Sequence, residues 1–317
     1  MRAHDQREIR SATRVTRRLH VGLLCALVFV AVLAGSSDGF AAQSKTAFLY
    51  WDNYGVSGTG GTIGRAALNG SAVTQSLIKG ASGPVGIVVH GGYIYWSNPG
   101  IDANSPGTTI GRAKLDGTGV NQSFISGLNS PHSLAINGNY IYWVSRYGNT
   151  IGRAKLNGTG VNSNFVTGAI GPWGIAVSGN FIYWTNYGAN GGSDGTTIGR
   201  ATLSGHGANQ SFITGAQAPA GIAVHGGFIY WSNNGSGQSG TTIGRASLNG
   251  GGINQSFITG ADSPAGIAVS GPFIYWSNFG GPHGTRGTTI GRANLNGTAV
   301  NQHFIKGARS PAGLTVG

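Results

Sequence analysis

The chain has 317 residues, a formal net charge of +12, only 9% charged side chains, 59 glycines and one cysteine. From Ala42 onward it contains 14 Lys or Arg, five Asp and no Glu, so its charge is sparse and diffuse. Such an excess favours anionic partners in a general way, but specific nucleic-acid binding is excluded because no basic cluster or basic-aromatic stripe occurs. A disulfide framework is also excluded, because the only cysteine is Cys25.

The N-terminal segment has the composition of a secretory signal peptide. Residues 1–20 carry six arginines, Val21–Ala34 is an uninterrupted apolar run, and Gly39-Phe40-Ala41 offers a small-x-small cleavage site. An uncleaved anchor is the alternative, although an apolar run of this length is short for a spanning helix. Export by the Sec or the twin-arginine route stays open. We expect residues 1–41 to be removed, giving a secreted protein without a membrane span.

A unit of about 45 residues then occurs six times. Each copy contains a Tyr-Trp dipeptide, whose tryptophans are Trp51, Trp96, Trp143, Trp184, Trp231 and Trp276. Each continues with an Ile-Gly-Arg tripeptide, which ends at Arg65, Arg112, Arg153, Arg200, Arg245 and Arg292. Each closes with a proline, at Pro84, Pro131, Pro172, Pro219, Pro264 and Pro311. A period of this length is typical of a solenoid or a β-propeller.

The content of the unit favours the propeller. In the copy that starts at Pro84, we predict strands over Val85–His90, Tyr93–Ser97, Thr109–Leu115 and Val120–Ile125, with a loose stretch at Asn98–Gly107. Asn-Gly and Asp-Gly pairs in five copies are strong hairpin signals. No segment shows helical periodicity, so the fold is all-β.

The two ends of the chain complete one blade. The first copy begins at Phe48, inside its Tyr-Trp strand, and lacks the strand that should precede it. Pro311–Val316 supplies a matching strand at the C-terminus. We therefore predict that residues 42–317 form a six-bladed propeller of four-stranded blades, closed by terminal strands that share one blade.

The repeat resembles the YWTD repeat, also called the LDL-receptor class B repeat. The resemblance lies in Tyr-Trp-Ser-Asn or Tyr-Trp-Thr-Asn, then Ile-x-Arg-Ala-x-Leu-Asn-Gly-Thr, then Pro-x-Gly-Ile-Ala-Val, over roughly residues 48–317. It implies a six-bladed propeller, here as a secreted member of bacterial type. The family's motif aspartate is replaced by Asn98, Asn186, Asn233 and Asn278, and the family's EGF-like modules have no counterpart.

Carboxylate chemistry has little support in the sequence. The acids after residue 41 are Asp52, Asp102, Asp116, Asp194 and Asp262, scattered over the repeats, with only Asp102 and Asp116 in the same copy. Hard cations and paired-carboxylate hydrolysis need several converging carboxylates, and the histidines include no pair at zinc spacing. We predict no metal, no cofactor and no catalytic residue. Only Asp52 has a strand-end position that faces the channel in this prediction.

Residues that are identical in every blade are assigned to architecture. The six repeated tryptophans are expected to fill the spaces between blades. The six repeated arginines are expected to stack on aromatic rings between blades, with an electropositive ring as the alternative.

A binding site is sought where the copies differ. The closing prolines of the second and third copies are followed by His132 and Trp173, where the other copies have Val or Ala. The loop after the third Tyr-Trp strand is unusually short and carries Arg146 and Tyr147. Aromatic residues also follow this strand in other copies, at Tyr54, Tyr187 and Phe279. These loops share one face of a propeller, so we predict a ligand site there. The alternative is that Trp173 plugs the channel mouth.

The candidate ligand-binding residues are therefore His132, Arg146, Tyr147, Trp173, Tyr54, Tyr187 and Asp52. The sequence favours a secreted, monomeric, non-enzymatic binding or scaffold propeller that recognises a protein or a glycan. A propeller-type lyase or lactonase and a structural envelope protein remain the alternatives.

Overall fold

The computed structural model describes residues 47–54, 61–100, 106–189, 193–280 and 287–317. In chain order its strands are β1 (Phe48–Asn53), β2 (Thr62–Ala67), β3 (Thr74–Lys79), β4 (Ile87–His90), β5 (Tyr93–Gly100), β6 (Pro106–Lys114), β7 (Asn121–Ile125), β8 (Pro131–Asn137), β9 (Tyr140–Ser145), β10 (Thr150–Lys155), β11 (Asn162–Thr167), β12 (Pro172–Ser178), β13 (Phe181–Asn186), β14 (Thr197–Thr202), β15 (Asn209–Thr214), β16 (Pro219–His225), β17 (Phe228–Asn233), β18 (Thr242–Ser247), β19 (Asn254–Thr259), β20 (Pro264–Ser270), β21 (Phe273–Asn278), β22 (Thr289–Asn294), β23 (Asn301–Lys306) and β24 (Pro311–Val316). A short 3-10 helix covers Ser236–Gln238, between β17 and β18.

The strands form six antiparallel four-stranded sheets, which are the blades of a propeller. Blade 1 has the order β24-β1-β2-β3, and blades 2 to 6 each take four consecutive strands, from β4–β7 to β20–β23. The C-terminal strand pairs with β1, and Phe48 and Gly317 exchange two backbone hydrogen bonds of 2.8 and 3.0 Å. The predicted six-bladed fold and its closure by both chain ends are confirmed. The signal-peptide prediction, including Cys25, lies outside the described residues.

One strand pair is longer than the sequence indicated. The hairpin of β5 and β6 extends into the stretch predicted to be loose, and Gly100 pairs with Pro106 after a register shift. Proline is tolerated there because it is the first residue of its strand, where a missing N–H costs least. By contrast, β4 is shorter than predicted and begins at Ile87.

The repeated tryptophans form the core between blades, and they explain the glycine of the Ile-Gly-Arg tripeptide. All six indoles are fully buried. In blade 1, Trp51 lies opposite Gly64 on the neighbouring strand, and the same pairing recurs in every blade. A Cβ on any of these glycines would overlap the indole ring. Glycine is therefore required because the indole covers the backbone of the neighbouring strand.

The repeated arginines lie within aromatic stacks. In blade 4, the Arg200 guanidinium carbon lies 4.5 Å from the Phe181 ring centroid and 4.0 Å from that of Phe212. Blades 2, 3, 5 and 6 show the same two-ring arrangement, whereas Arg65 in blade 1 has one such ring, Phe48. Cation–π stacking of this kind stabilises the blade. The arginine positions thus have the geometry expected of architecture.

Candidate functional site

The loops after the Tyr-Trp strands and the loops between blades enclose a cavity of about 160 Å³. We call it the axial pocket, and its main lining residues are Tyr54, Pro99, His132, Arg146, Tyr147, Trp173, Gln238 and Phe279. All six blades contribute to this lining, so the pocket lies at the axis of the ring. Five of the seven candidate residues predicted from the sequence meet here: Tyr54, His132, Arg146, Tyr147 and Trp173.

Trp173 is the centre of an aromatic cluster in this pocket. Its ring lies 5.0 Å from the imidazole of His132 in an edge-on arrangement and 4.7 Å from the ring of Tyr187, centroid to centroid. The guanidinium carbon of Arg146 lies 4.4 Å from the Trp173 ring, 5.2 Å from the Tyr187 ring and 5.6 Å from the Tyr147 ring. The indole of Trp173 therefore contacts both His132 and Arg146, two other residues that depart from the repeat.

Tyr187 packs against Trp173 on the side away from the pocket. Its side chain is buried, and its hydroxyl donates a 2.8 Å hydrogen bond to Oδ1 of Asn234 in the next blade. It is not among the residues that line the pocket. The structure thus places Tyr187 next to the other candidates as packing for Trp173 rather than as pocket surface.

A short turn explains why Arg146 reaches Trp173. β9 ends at Ser145 and β10 begins at Thr150, so only four residues join them. Asn149 takes a left-handed backbone conformation, with φ of 54°, which asparagine tolerates better than most residues. Its Oδ1 accepts a 2.9 Å hydrogen bond from Gly171 N, just before the start of β12. This bond holds the turn of blade 3 against the strand that carries Trp173.

Below the axial pocket, the innermost strands enclose a channel cavity of about 280 Å³. Val85 and Trp173 line both cavities, so the indole separates the pocket from the channel. Trp173 therefore has the position expected of a channel plug and also the position expected of a ligand platform. The two interpretations make different predictions for its replacement.

Burial and charge keep His132 neutral. The side chain is only 5% exposed, and burial, together with the positive charge of Arg146, lowers the pKa of His132 well below its usual range. Within the described residues its imidazole makes no hydrogen bond, and Nδ1 is buried without a partner. Burial also lowers the pKa of Arg146, an effect opposed by the nearby tyrosines. The pocket thus combines a stacked cation with an uncharged imidazole.

Asp52 does not join the axial pocket, which corrects its place among the predicted ligand contacts. Its side chain is fully buried, and Oδ1 accepts hydrogen bonds from Ala312 N at 3.1 Å and Gly313 N at 2.8 Å. Oδ2 is buried without a partner among the described residues, and burial raises the pKa of the carboxyl well above its usual range despite the two N–H donors. Asp52 is thus part of the contact between the closing strand and its neighbours.

Other blades use a hydroxyl where blade 1 uses Asp52. Thr185, Ser232 and Ser277 each accept a hydrogen bond from a glycine N–H of their own blade. Each also donates to a backbone carbonyl of the next blade, at distances of 2.6 to 2.9 Å. The corresponding carbonyl for Asp52 belongs to Val85, and a Cβ on Gly313 would touch both this oxygen and Oδ2 of Asp52. An ionised carboxylate cannot donate the hydrogen bond that the hydroxyls make.

The asparagines that replace the motif aspartate tie each blade to its neighbour. In blade 4, Asn186 Nδ2 donates to Thr197 Oγ1 and to the Gln210 carbonyl, and its Oδ1 accepts from Ile170 N in the connection between blades. An amide supplies both donors and acceptor without burying a charge. Blade 3 has Ser145 at this position, and its hydroxyl bonds the Asn129 carbonyl at 2.5 Å.

No metal site or membrane span emerges from the part of the chain that the structure describes. No group of three His, Cys, Asp or Glu side chains there is arranged to hold a metal ion. Asp102 lies outside that part. Among the same residues, no helix is long and apolar enough to cross a membrane.

Two pocket residues carried no sequence signal. Pro99 lies near the end of β5 and Gln238 in the short 3-10 helix, both in the stretch after a Tyr-Trp dipeptide that varies from copy to copy, so the repeat does not mark them as unusual. Gln238 has a positive φ of 62°, which is uncommon outside glycine and asparagine. Only the closure of the ring brings these residues to the axis.

The fold and this pocket define the chain as a six-bladed β-propeller with an asymmetric cavity on its loop face. No family model matches the chain, and no curated protein matches it. The fold is similar to a chain in the crystal structure of a nidogen–laminin complex, with 18% identity over 85% of this chain and 97% of that one and a TM-score of 0.62.

Two bacterial enzymes share the fold with lower TM-scores. A catalytically inactive virginiamycin B lyase from Staphylococcus aureus, crystallised with quinupristin, is 22% identical over 73% of each chain, with a TM-score of 0.51. A gluconolactonase from Xanthomonas campestris is 14% identical over 70% of this chain and 74% of that one, with a TM-score of 0.52. At these identities the likeness concerns the fold alone, since one fold hosts many functions.

Proposed function

We propose that the protein is a secreted, non-enzymatic propeller that binds a protein or a glycan at the axial pocket. One observation carries the proposal: His132, Arg146, Tyr147 and Trp173, which depart from the repeat, lie together in one cavity. Identical residues maintain the ring, whereas an asymmetric cluster serves an asymmetric partner. Tryptophan, tyrosine and arginine are also the residues in which interface energy is concentrated.

The chemistry of the described residues supports binding more than turnover. The pocket walls are aromatic rings, a stacked guanidinium and a neutral imidazole. Hydrolase and lyase propellers would need converging carboxylates or a metal-binding group, and the described lining supplies neither. The similar propeller fold in the nidogen–laminin complex supports a protein as one candidate class of partner.

The proposal is tested by probing an array of glycans and peptides with the full-length protein and with two variants. Arg146→Ala removes the guanidinium that stacks on Trp173, and Arg309→Ala removes an equal charge from an exposed loop residue. We expect bound array features to be lost in Arg146→Ala and retained in Arg309→Ala. A protein that binds no feature but holds stoichiometric divalent metal overturns the proposal in favour of an enzyme.

Secretion is tested separately by the intact mass of the protein in the culture medium. We expect a chain that begins near Ala42 and lacks a thiol. A cell-retained protein that still contains Cys25 would show that the N-terminal segment is an anchor.

A further inference from the structure

The size of the axial pocket limits what it holds. A cavity of about 160 Å³ is close to the engineered cavities of roughly 150 Å³ that bind a single benzene ring. The pocket therefore admits one six-membered ring and not an extended segment of chain. A ligand that is larger than this enters with one terminal ring, and its remainder stays on the loop face.

The walls of the pocket combine aromatic rings with polar side chains. Four half-buried aromatic rings, Tyr54, Tyr147, Trp173 and Phe279, come from four different blades. Polar side chains are added by blade 3, which supplies Arg146 and His132, and by blade 5, which supplies Gln238. A ligand that fits must therefore have apolar faces and polar groups that point in several directions. A phenol ring from a peptide offers only one polar group, at one end.

His132 adds a specific requirement. A neutral imidazole has one nitrogen that donates and one that accepts a hydrogen bond. Among the described residues, Nδ1 of His132 is fully buried without a partner, which costs stability, whereas Nε2 is not fully buried and is the nitrogen that a ligand in the pocket reaches. A hydroxyl both donates and accepts, and it satisfies the imidazole in either tautomer.

We propose that the axial pocket binds the terminal pyranose ring of a glycan, with one apolar face against Trp173 and a hydroxyl hydrogen-bonded to the imidazole of His132. The proposal rests on the function proposed above and narrows its ligand to one chemical class. A pyranose has the required ring size, two apolar faces and hydroxyls around its edge. The other hydroxyls then meet Arg146 and Gln238, on the rest of the wall.

The test uses saturation-transfer NMR on the full-length protein with the methyl pyranosides of glucose, galactose, mannose, N-acetylglucosamine, fucose and glucuronic acid. We expect at least one of them to bind saturably and to weaken at least about tenfold in His132→Phe, because the imidazole hydrogen bond is lost. The same variant is expected to melt no lower than the wild type, since an apolar ring replaces an unsatisfied buried polar group. His225→Phe, at the end of the inner strand β16 and outside the lining of both cavities, is the matched control and should bind normally.

Two results overturn this proposal, and they differ in what they say about the proposed function. If no pyranoside binds but a peptide on the array does, in a manner lost in Arg146→Ala, the protein is a binder and the ligand class is wrong. If nothing binds and His132→Phe only raises the melting temperature, the pocket is structural and both proposals fail.

Discussion

Asp52 gives the sharpest stability prediction, because blade 1 carries a carboxyl where three other blades carry a hydroxyl that bonds the next blade. Asp52→Ser introduces the residue found at this position in blades 2, 5 and 6. It removes a fully buried carboxyl and supplies a hydroxyl for the carbonyl of Val85. We expect the variant to be more stable than the wild type at neutral pH.

The stability difference between Asp52→Ser and the wild type should depend on pH, because proton binding by Asp52 is linked to folding. Because burial raises the pKa of Asp52, the folded protein holds a proton that the unfolded chain has released above about pH 4. The stabilisation from Asp52 is therefore complete below pH 4 and is lost as pH rises through the folded-state pKa. In that window the free energy of unfolding falls by about 1.4 kcal/mol per pH unit. For a propeller of this size, that corresponds to about 2 to 3 °C in Tm per pH unit.

The assay is thermal unfolding of the wild type and Asp52→Ser between pH 4 and pH 9, with Asp52→Asn as a neutral isostere. The difference in Tm between Asp52→Ser and the wild type should widen as pH rises and then become constant above the folded-state pKa. A difference that is constant from pH 4 upward, or that narrows, would show that Asp52 is ionised in the folded protein and that the reasoning is wrong.

Three further predictions concern the core, the closure and the pocket. Gly199→Ala should lower the free energy of unfolding by about 3 kcal/mol in denaturant unfolding, because the added Cβ would overlap the Trp184 ring. Gly251→Ala, in an exposed turn, is the control and should change it by less than about 0.5 kcal/mol. Equal effects of the two substitutions would refute the packing argument. Deleting Pro311–Gly317 should abolish cooperative thermal unfolding by exposing the edge of blade 1, and an unchanged Tm would contradict closure. As pH falls below about 6.5, the unfolded chain gains a proton that the folded His132 does not accept, so the Tm of His132→Phe relative to the wild type should rise with falling pH in pH-dependent melts. The comparison cancels the opposite effect of Asp52, and a Tm difference that does not change with pH would show that the folded imidazole accepts the proton as readily as the unfolded one.

The architecture was predictable because the sequence pattern of one blade occurs six times in the chain. The Tyr-Trp spacing, the hairpin pairs and the strand at Pro311–Val316 each indicate the same propeller, and the sheets have the predicted order. The reason for the glycine in Ile-Gly-Arg was not predictable, since it depends on where the Trp51 indole lies relative to Gly64 across the sheet. Strand register, and not composition, decides that contact.

The candidate site was predictable only where it breaks the repeat. His132 and Trp173 stand out against Val or Ala in the other copies, and the structure puts their rings 5.0 Å apart. Asp52 also stood out, but a singular residue at a strand end is equally suited to the contact between blades, and it lies there. Gln238 gave no signal, because it lies in the stretch after the Tyr-Trp strand, whose length and sequence vary among the copies.

The most direct test of the axial pocket as the binding site is the affinity of Trp173→Ala, measured by titration calorimetry against whichever array ligand the wild type binds, together with its Tm. Loss of an interface anchor costs about 2 kcal/mol or more, so we predict at least about thirtyfold weaker binding with Tm within a few degrees of the wild type. A variant that keeps the wild-type affinity until it melts at a much lower temperature would show that Trp173 is a channel plug and that the ligand binds elsewhere.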